Sequence, residues 1–305
     1  VQPEDSSKKR ALLVINPRAR SGSSSVDPAI ELLSDAGFEI RETRISDGDT
    51  ISDVIRRDAS EIDLVIVGGG DGTLNGAAPA LVETGLPLGV LPLGTANDFA
   101  RTLGIPPDPV QAAEVIKAGQ LHTVDLGEVN GHLFFNVASI GFSAELAAEL
   151  TARAKKRWGV MGYGIVAARL LMRSRLFSAY LEHDGETEKI RTLQISVGNG
   201  RHYGGGLTVE ETATADDGKL DLYSLEVDHW WRLLALLPSL RKGTHGRWDD
   251  VRAFQTTQVT IRTKWPRAVN TDGELTTYTP AEFRIRTKAI RVFIPPEPAA
   301  GLGGA

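Results

Sequence analysis

The order of hydrophobic patterns predicts an α/β domain built on a parallel sheet, followed by a second, mostly antiparallel β domain. Three observations carry this. Apolar strand-like runs alternate with amphipathic helical runs from residue 11 to residue 118. Near Val124 the pattern changes to a long series of strand-like runs. The chain has 305 residues, which fits two domains at roughly 150 residues each.

The elements follow in order. Ala11–Asn16 reads as a buried strand, Val26–Ala36 as a helix, Phe38–Arg44 as a strand of alternating polarity and Thr50–Ala59 as a helix. Asp63–Val67 is a strand, Thr73–Thr84 a helix and Leu88–Leu91 a strand, and Asn97–Leu103 and Pro109–Ala118 are helices. Right-handed crossovers then give a parallel sheet wrapped by helices. Strand-like runs follow at Thr123–Val129, His132–Ser139, Ser178–His183, Thr187–Val197 and Gly206–Glu210. They continue at Leu220–Leu225, Phe254–Arg262, Ala268–Asn270, Ala281–Thr287 and Ile290–Ile294. Helical insertions at Ala144–Arg175 and Trp230–Arg241 interrupt them. The expected division is a disordered leader over 1–10, an α/β domain over 11–123 and a β domain over 124–280. Returning strands occupy 281–295, and a Pro/Gly/Ala-rich flexible tail occupies 296–305.

Composition narrows the classes. The chain is 41% hydrophobic and 24% charged, an ordinary soluble balance. No apolar run approaches the roughly 18–20 residues that span a bilayer, and the leader has no signal-peptide core. With no cysteine, disulfides and thiolate metal sites are excluded, and the six histidines form no ligand pair. A net charge of −5 argues against a general nucleic-acid binder. These features lead to the expectation of a cytoplasmic protein.

The most informative segment is Gly68-Gly69-Gly70-Asp71-Gly72-Thr73-Leu74-Asn75, directly after the apolar Leu64-Val65-Ile66-Val67. Glycine tolerates positive φ and lets backbone N–H groups approach a ligand closely. N–H groups at such a turn or at the next helix start suit phosphate. Asp71 repels phosphate, so a divalent cation bridging the two explains it better. There is no G-x-x-x-x-G-K-[ST] segment, and Asn75 stands where G-x-G-x-x-G needs its third glycine. A glycine-rich strand-to-helix turn without a ligand is the plain alternative. A second segment weighs against it. Leu88-Gly89-Val90-Leu91-Pro92 is followed by Gly94-Thr95-Ala96-Asn97-Asp98-Phe99, again at a strand end before a helix. In a parallel sheet such ends line one ligand crevice.

GGGDGTLN followed by Leu-Pro-Leu-Gly-Thr-Ala-Asn-Asp-Phe-Ala-Arg (91–101) resembles the catalytic domain of the diacylglycerol kinase family of lipid kinases. Val14-Ile15-Asn16-Pro17 resembles that family's N-terminal nucleotide-binding turn. Asn136–Phe142 resembles its first C-terminal-domain strand, Asp216–Leu222 its acidic hairpin and Thr271-Asp272-Gly273-Glu274 its late Asp-Gly-Glu motif. The matches run in family order over roughly residues 10 to 295. GGDGT alone is shared with NAD kinases. Two departures stand out: Thr271 replaces a small apolar residue, and Asn16–Gly22 is longer and more basic than the usual turn. The resemblance implies an NAD kinase-like α/β domain and a β-sandwich whose last strands return to the first domain, with a cleft between the two.

The resemblance also implies ATP and Mg²⁺ as cofactors and assigns roles. Backbone N–H groups of Gly69, Gly70, Asp71, Gly72 and Thr73 would hold phosphates, with Asn16, Pro17, Asn75, Gly94, Thr95 and Asn97 around the nucleotide. Asp71 and Asp98 would hold Mg²⁺ through water, although Asn97 and Asp98 are also good helix-start residues. Thr43 matches a hydroxyl near the nucleotide, with a plain strand residue as its alternative. Arg18 or Arg20 could reach a phosphate or lie on the surface. Asp272 matches the base that takes the lipid hydroxyl proton, and Glu274 a residue on the nucleotide side. Asp217 and Asp221 match a structural cation site in some relatives, with a simple hairpin turn as the favoured reading.

Arg153–Arg175 and His229–Arg247 are basic, acid-free and rich in apolar and aromatic residues. They suit an anionic membrane surface, and a solvated helix face is the alternative. The implied activity is an ATP-dependent lipid kinase with its lipid substrate met at the membrane surface, hence peripheral membrane association. The rivals are an NAD kinase-like soluble kinase and a nucleotide-binding regulator without catalysis. Edge strands of the second domain could pair two copies as a homodimer.

Overall fold

The computed structural model describes residues 8–16, 26–43, 49–153, 175–199, 202–203, 207–208, 215–227 and 250–296. The chain divides into two compact units, Val1–Val124 with Ala289–Ala305, and Asp125–Lys288.

The first unit opens with β1 (Lys9–Ile15), α1 (Asp27–Asp35), β2 (Phe38–Thr43) and α2 (Ile51–Asp58). It continues with β3 (Leu64–Gly69), α3 (Asp71–Thr84), β4 (Leu88–Pro92), α4 (Asp98–Thr102) and α5 (Pro109–Ala118). The strands are parallel in the order β2-β1-β3-β4. Every residue of β3 and β4 is buried, which is why both read as uninterrupted apolar runs. Local chemistry sets the helix ends. Thr50 and Asp53 form a reciprocal capping box at α2. Asp108 caps α5 ahead of Pro109, and Gly85 and Gly119 end α3 and α5 in the left-handed conformation.

The remaining elements are β5 (Leu121–Val129), β6 (His132–Phe134), β7 (Val137–Gly141), α6 (Phe142–Arg153), β8 (Phe177–His183), β9 (Glu186–Thr192) and β10 (Gln194–Gly198). Then come the short β11 (His202–Tyr203) and β12 (Leu207–Thr208), β13 (Leu220–Leu225), β14 (Val251–Thr256), β15 (Gln258–Thr263), β16 (Ala268–Thr271), β17 (Glu274–Tyr278) and β18 (Ala281–Phe293). One antiparallel sheet of the second unit runs β14-β13-β10-β7-β16-β17. The other places β15 between β18 and β8, with β9 beyond β8. Ile140, Val197 and Leu222 from the first sheet pack with Leu181, Ile261 and Phe283 from the second, the core of a β-sandwich. The end of β18 belongs to the first unit, where Val292 pairs in parallel with Leu88 of β4. The fold class is the expected one, an α/β unit on a parallel sheet and an antiparallel sandwich.

Several strand boundaries differ from the sequence expectation. The run 187–197 is two strands, because the chain changes sheets at Leu193. Thr192 Oγ1 there accepts the Gln194 N–H (3.1 Å) and donates to the carbonyls of Gln194 (2.8 Å) and Leu225 (3.0 Å). The run 254–262 splits in the same way at Thr257. Thr256 Oγ1 accepts from Gln258 N–H (3.3 Å) and donates to Gln258 O (2.8 Å). Both breaks read Thr-x-Gln, a local side-chain closure that hydropathy does not register. The run 132–139 breaks at residues 135–136, and β17 was not foreseen. The expected separate strands 281–287 and 290–294 are one, β18, which carries a left-handed Lys288 (φ 53°). The helical reading of 144–175 holds as far as Arg153, the end of α6; Arg175 is not helical, and 154–174 and 230–241 lie outside the described residues.

Thr192 is fully buried. Thr192→Val keeps its shape but leaves the Gln194 N–H without its acceptor. The expected loss is about 1–3 kcal/mol of unfolding free energy, read as a lower urea midpoint at unchanged slope.

Candidate active site

The ends of β1, β3 and β4 lie side by side. Ile15 is opposite Gly68, and Gly69 is opposite Pro92. The Asn16 N–H donates to Gly68 O (2.9 Å) and the Leu93 N–H to Gly69 O (3.0 Å). Space, not conformational freedom, explains Gly69, Gly70 and Gly94. None of Gly68, Gly69, Gly70, Gly72 or Gly94 has positive φ, contrary to a turn needing left-handed residues. A Cβ on Gly69 would meet the Thr73 side chain at 2.4 Å, and one on Gly94 would lie 2.5 Å from Gly70 Cα. The loops after β3 and β4 touch backbone to backbone, and only glycine permits it.

Asp71 opens α3, two residues earlier than the sequence reading. Its carboxylate accepts the N–H groups of Asp98 (3.2 Å) and Phe99 (3.1 Å) at the start of α4. Asn97 precedes α4 in the left-handed region (φ 50°) and makes no side-chain cap. Its amide turns back to Gly94, accepting the Gly94 N–H (2.9 Å) and donating to Gly94 O (3.1 Å). Asp71 therefore caps α4 across the two loops, a role expected of Asn97 and Asp98. Asp98 is itself buried. Asn16 Nδ2 donates to Thr73 Oγ1 at 3.0 Å, joining the end of β1 to the start of α3.

Around this point Gly72 and Thr95 are exposed and Asn75 is half-buried. Asn75 Oδ1 is buried and meets no donor among the described residues. Thr43 ends β2 opposite Val14. The structure thus gathers Asn16, Thr43, Gly69–Thr73, Asn75, Gly94, Thr95, Asn97 and Asp98 at the carboxyl ends of β1–β4 and the helix starts that follow, where α/β sheets bind ligands. Pro17, Arg18 and Arg20 lie outside the described residues, as do 154–174 and 228–249 of the basic segments.

In the second unit, Thr271 pairs with Glu274, so Asp272-Gly273 is the two-residue turn between β16 and β17. Both residues are left-handed (φ 48° and 100°), as a primed hairpin turn requires. Asp272 does more than turn the chain. Its carboxylate accepts three consecutive backbone N–H groups, Phe135 (2.7 Å), Asn136 (3.0 Å) and Val137 (3.0 Å). These are the groups released where β6 breaks from β7. An ionised carboxylate, an acceptor only, matches three donors. Glu274 is exposed at the start of β17.

Asp217 is exposed and accepts the Lys219 N–H (2.9 Å), the geometry of a turn. Asp221 is buried in β13, where Gln255 Nε2 donates to it (2.9 Å). Among the described residues no group of three or more His, Asp or Glu side chains forms a metal cluster. The Asp71–Asp98 pair still fits Mg²⁺ bound with a nucleotide, because such sites use one or two carboxylates and leave the rest to water and phosphate.

Sequence reasoning missed two buried side chains, Asn199, which shares the Phe135 backbone with Asp272, and Asp125, whose carbonyl Asn199 also holds. Asp125 accepts the N–H groups of Gly218 (2.8 Å) and Lys288 (2.6 Å). Asn199 Nδ2 donates to the carbonyls of Asp125 (2.9 Å) and Phe135 (3.0 Å). Asp125 stands as a polar residue inside an apolar strand run, the one signal for it, and Asn199 lies just past the end of β10, where hydropathy gives none.

A parallel α/β unit with glycine loops at its strand ends, joined to an antiparallel sandwich, defines a class that the comparisons specify. Residues 10–129 match the family described as "Diacylglycerol kinase catalytic domain", and residues 136–294 match "YegS C-terminal NAD kinase beta sandwich-like domain". A "Diacylglycerol kinase" of Mycobacterium tuberculosis is 36% identical over 78% of each chain. A Pseudomonas fluorescens protein described as "Probable lipid kinase YegS-like" is 33% identical over 98% of this chain and 99% of its own. A crystal structure of a "putative diacylglycerol kinase" from Bacillus anthracis superposes with a TM-score of 0.81 at 26% identity, covering 97% of this chain and 99% of that one. The chain belongs to the diacylglycerol kinase/YegS-like lipid kinase family. Membership in a kinase family implies ATP as the phosphoryl donor.

Asp71→Asn replaces one carboxylate oxygen by an NH₂ group facing an N–H donor at the start of α4. It is expected to cost about 1–2 kcal/mol of stability, the range of a lost helix cap. Urea denaturation without nucleotide checks this; an unchanged midpoint would remove the capping role.

Proposed function

We propose that the protein transfers the γ-phosphoryl group of ATP to the hydroxyl of a lipid of the diacylglycerol class. The observation that carries the reading is the close approach of Gly70 and Gly94, which brings the glycine loops of two strand ends together within a lipid kinase family. Backbone N–H groups of Gly69–Gly72, with Asn16, Thr95 and Asn97, hold the nucleotide, while the Thr73 N–H, expected to join them, donates instead to Gly70 O (2.9 Å). Thr43, Pro17, Asn75, Gly94 and Glu274 complete that role. Asp71 and Asp98 would hold Mg²⁺, which when bound would offset phosphate charge. Asp272 is the general base.

The step balances simply. The lipid oxygen bonds to the γ-phosphorus as its proton passes to an Asp272 oxygen. The bond from the γ-phosphorus to the bridging oxygen breaks, and ADP leaves with that electron pair. The three N–H donors on Asp272 hold its carboxylate in one orientation, the positional requirement for a base.

Asp272→Asn is expected to lower phosphoryl transfer to lipid by about 10²–10⁴-fold while ATP affinity stays within twofold. It also loses an acceptor for the 135–137 backbone, so turnover is compared on protein shown to be folded by its denaturation midpoint. Parental turnover would leave Asp272 as a hairpin residue only. Loss of ATP binding would move it to the nucleotide side. A mass-spectrometric screen of a total lipid extract for the phosphorylated product identifies the acceptor, and EDTA in the same assay should abolish activity.

Membrane contact belongs to the same proposal. Among the described residues no helix is long and apolar enough to cross a membrane. The basic segments 153–175 and 229–247 supply the peripheral contact with anionic lipid. Charge reversal at Lys155, Lys156 and Arg157 should weaken sedimentation with vesicles containing anionic lipid and leave ATP binding unchanged. Unchanged sedimentation would make the segment a solvated face.

A further inference from the structure

Three consecutive residues, Phe135, Asn136 and Val137, bridge β6 and β7 without continuing either ladder through residue 136. Their N–H groups all go to the Asp272 carboxylate. Their carbonyls are also taken. Asn199 Nδ2 donates to Phe135 O (3.0 Å), the Asn199 N–H to Asn136 O (2.8 Å) and the Asp272 N–H to Val137 O (3.0 Å). Asp272 and Asn199 thus grip the same short segment through opposite sets of backbone groups.

Asn199 is well placed for this. It follows β10, whose Gly198 pairs with Val137. It is 1% exposed, so its amide does not exchange these partners for bulk water. Its second Nδ2 hydrogen reaches Asp125 O (2.9 Å), anchoring the grip to β5. The amide orientation is determined by this network: turned over, its oxygen would face two carbonyl oxygens.

We propose that Asn199 is a positioning residue for phosphoryl transfer: it fixes the Phe135–Val137 backbone whose N–H groups orient the Asp272 carboxylate. The inference rests on the reading of Asp272 as general base. Asn199 touches no reacting atom in this role. Losing its two amide donors frees Phe135 O and lets the segment shift, and small displacements of a reacting group are costly.

The test is a double-mutant cycle measured by single-turnover transfer to diacylglycerol in mixed micelles. Asn199→Leu is close in volume, keeps the backbone N–H bond and removes both amide donors. Asn199→Ser, smaller and polar, serves where the leucine variant does not fold. In the parental background either variant should lower the transfer rate about 10- to 100-fold with the KM for ATP unchanged. In the Asp272→Asn background the same substitution should cost less than about twofold, because the group it positions is already gone. An equal loss in both backgrounds, or a lower denaturation midpoint with no loss of rate, overturns the positioning role while the base reading stands. Parental turnover by Asp272→Asn alone overturns the base reading and this inference with it.

Discussion

Breaks in regular structure release backbone N–H groups, and in this protein carboxylates collect them. Where β6 gives way to β7, three N–H groups leave the ladder together inside the second unit and converge on Asp272. A buried donor left unmet costs about 1–3 kcal/mol, so the break exists only because a carboxylate is there to receive it. Asp71 does the same for the start of α4, where Asn97 is turned away toward Gly94. Both acids therefore have a folding role that precedes any chemistry. A hydrogen bond to a charged group contributes roughly 1.5–3 kcal/mol, enough to hold the surrounding loops in one arrangement.

The same economy places the sandwich. Strands β9 and β10 belong to different sheets although one residue separates them, and so do β14 and β15. At each corner a threonine hydroxyl closes on a glutamine two residues later. The hydroxyl satisfies the groups that leave one ladder before the next begins. Neighbouring strands then bury Ile195 and Val259 on one common core.

These constraints bear on function because the family's chemistry needs rigid acceptors. On the proposed reading a phosphate cradle needs N–H groups that are already aimed, and Gly70 lying against Gly94 holds its two loops together. The proposed base likewise needs oxygens that cannot wander. The groups that hold Asp272 are backbone, and Asn199 fastens that backbone from its other side. Preorganisation of this kind is supplied by folding free energy rather than by substrate binding.

Much of this was legible in the chain itself. The apolar runs ending at Val67 and Leu91, each followed by glycine, hydroxyl and carboxylate residues, locate the parallel sheet and its ligand-binding ends, because buried parallel strands must be continuously hydrophobic. Asp272-Gly273 taken alone is a turn signal, set aside for the base role in reading the sequence, and the structure makes it a turn with two successive left-handed residues. Strand breaks at 135–136, 193 and 257 were not legible, since hydropathy reports burial and not which sheet receives a residue. Nor could the sequence show why its glycines are needed. Gly70 and Gly94 answer to each other across more than a helix of intervening chain, and that proximity is created only by packing. The partners of Asp71, Asp272 and Asn199 lie tens of residues away or more. Residue type announces a carboxylate or an amide, but only the tertiary structure decides which backbone groups it meets.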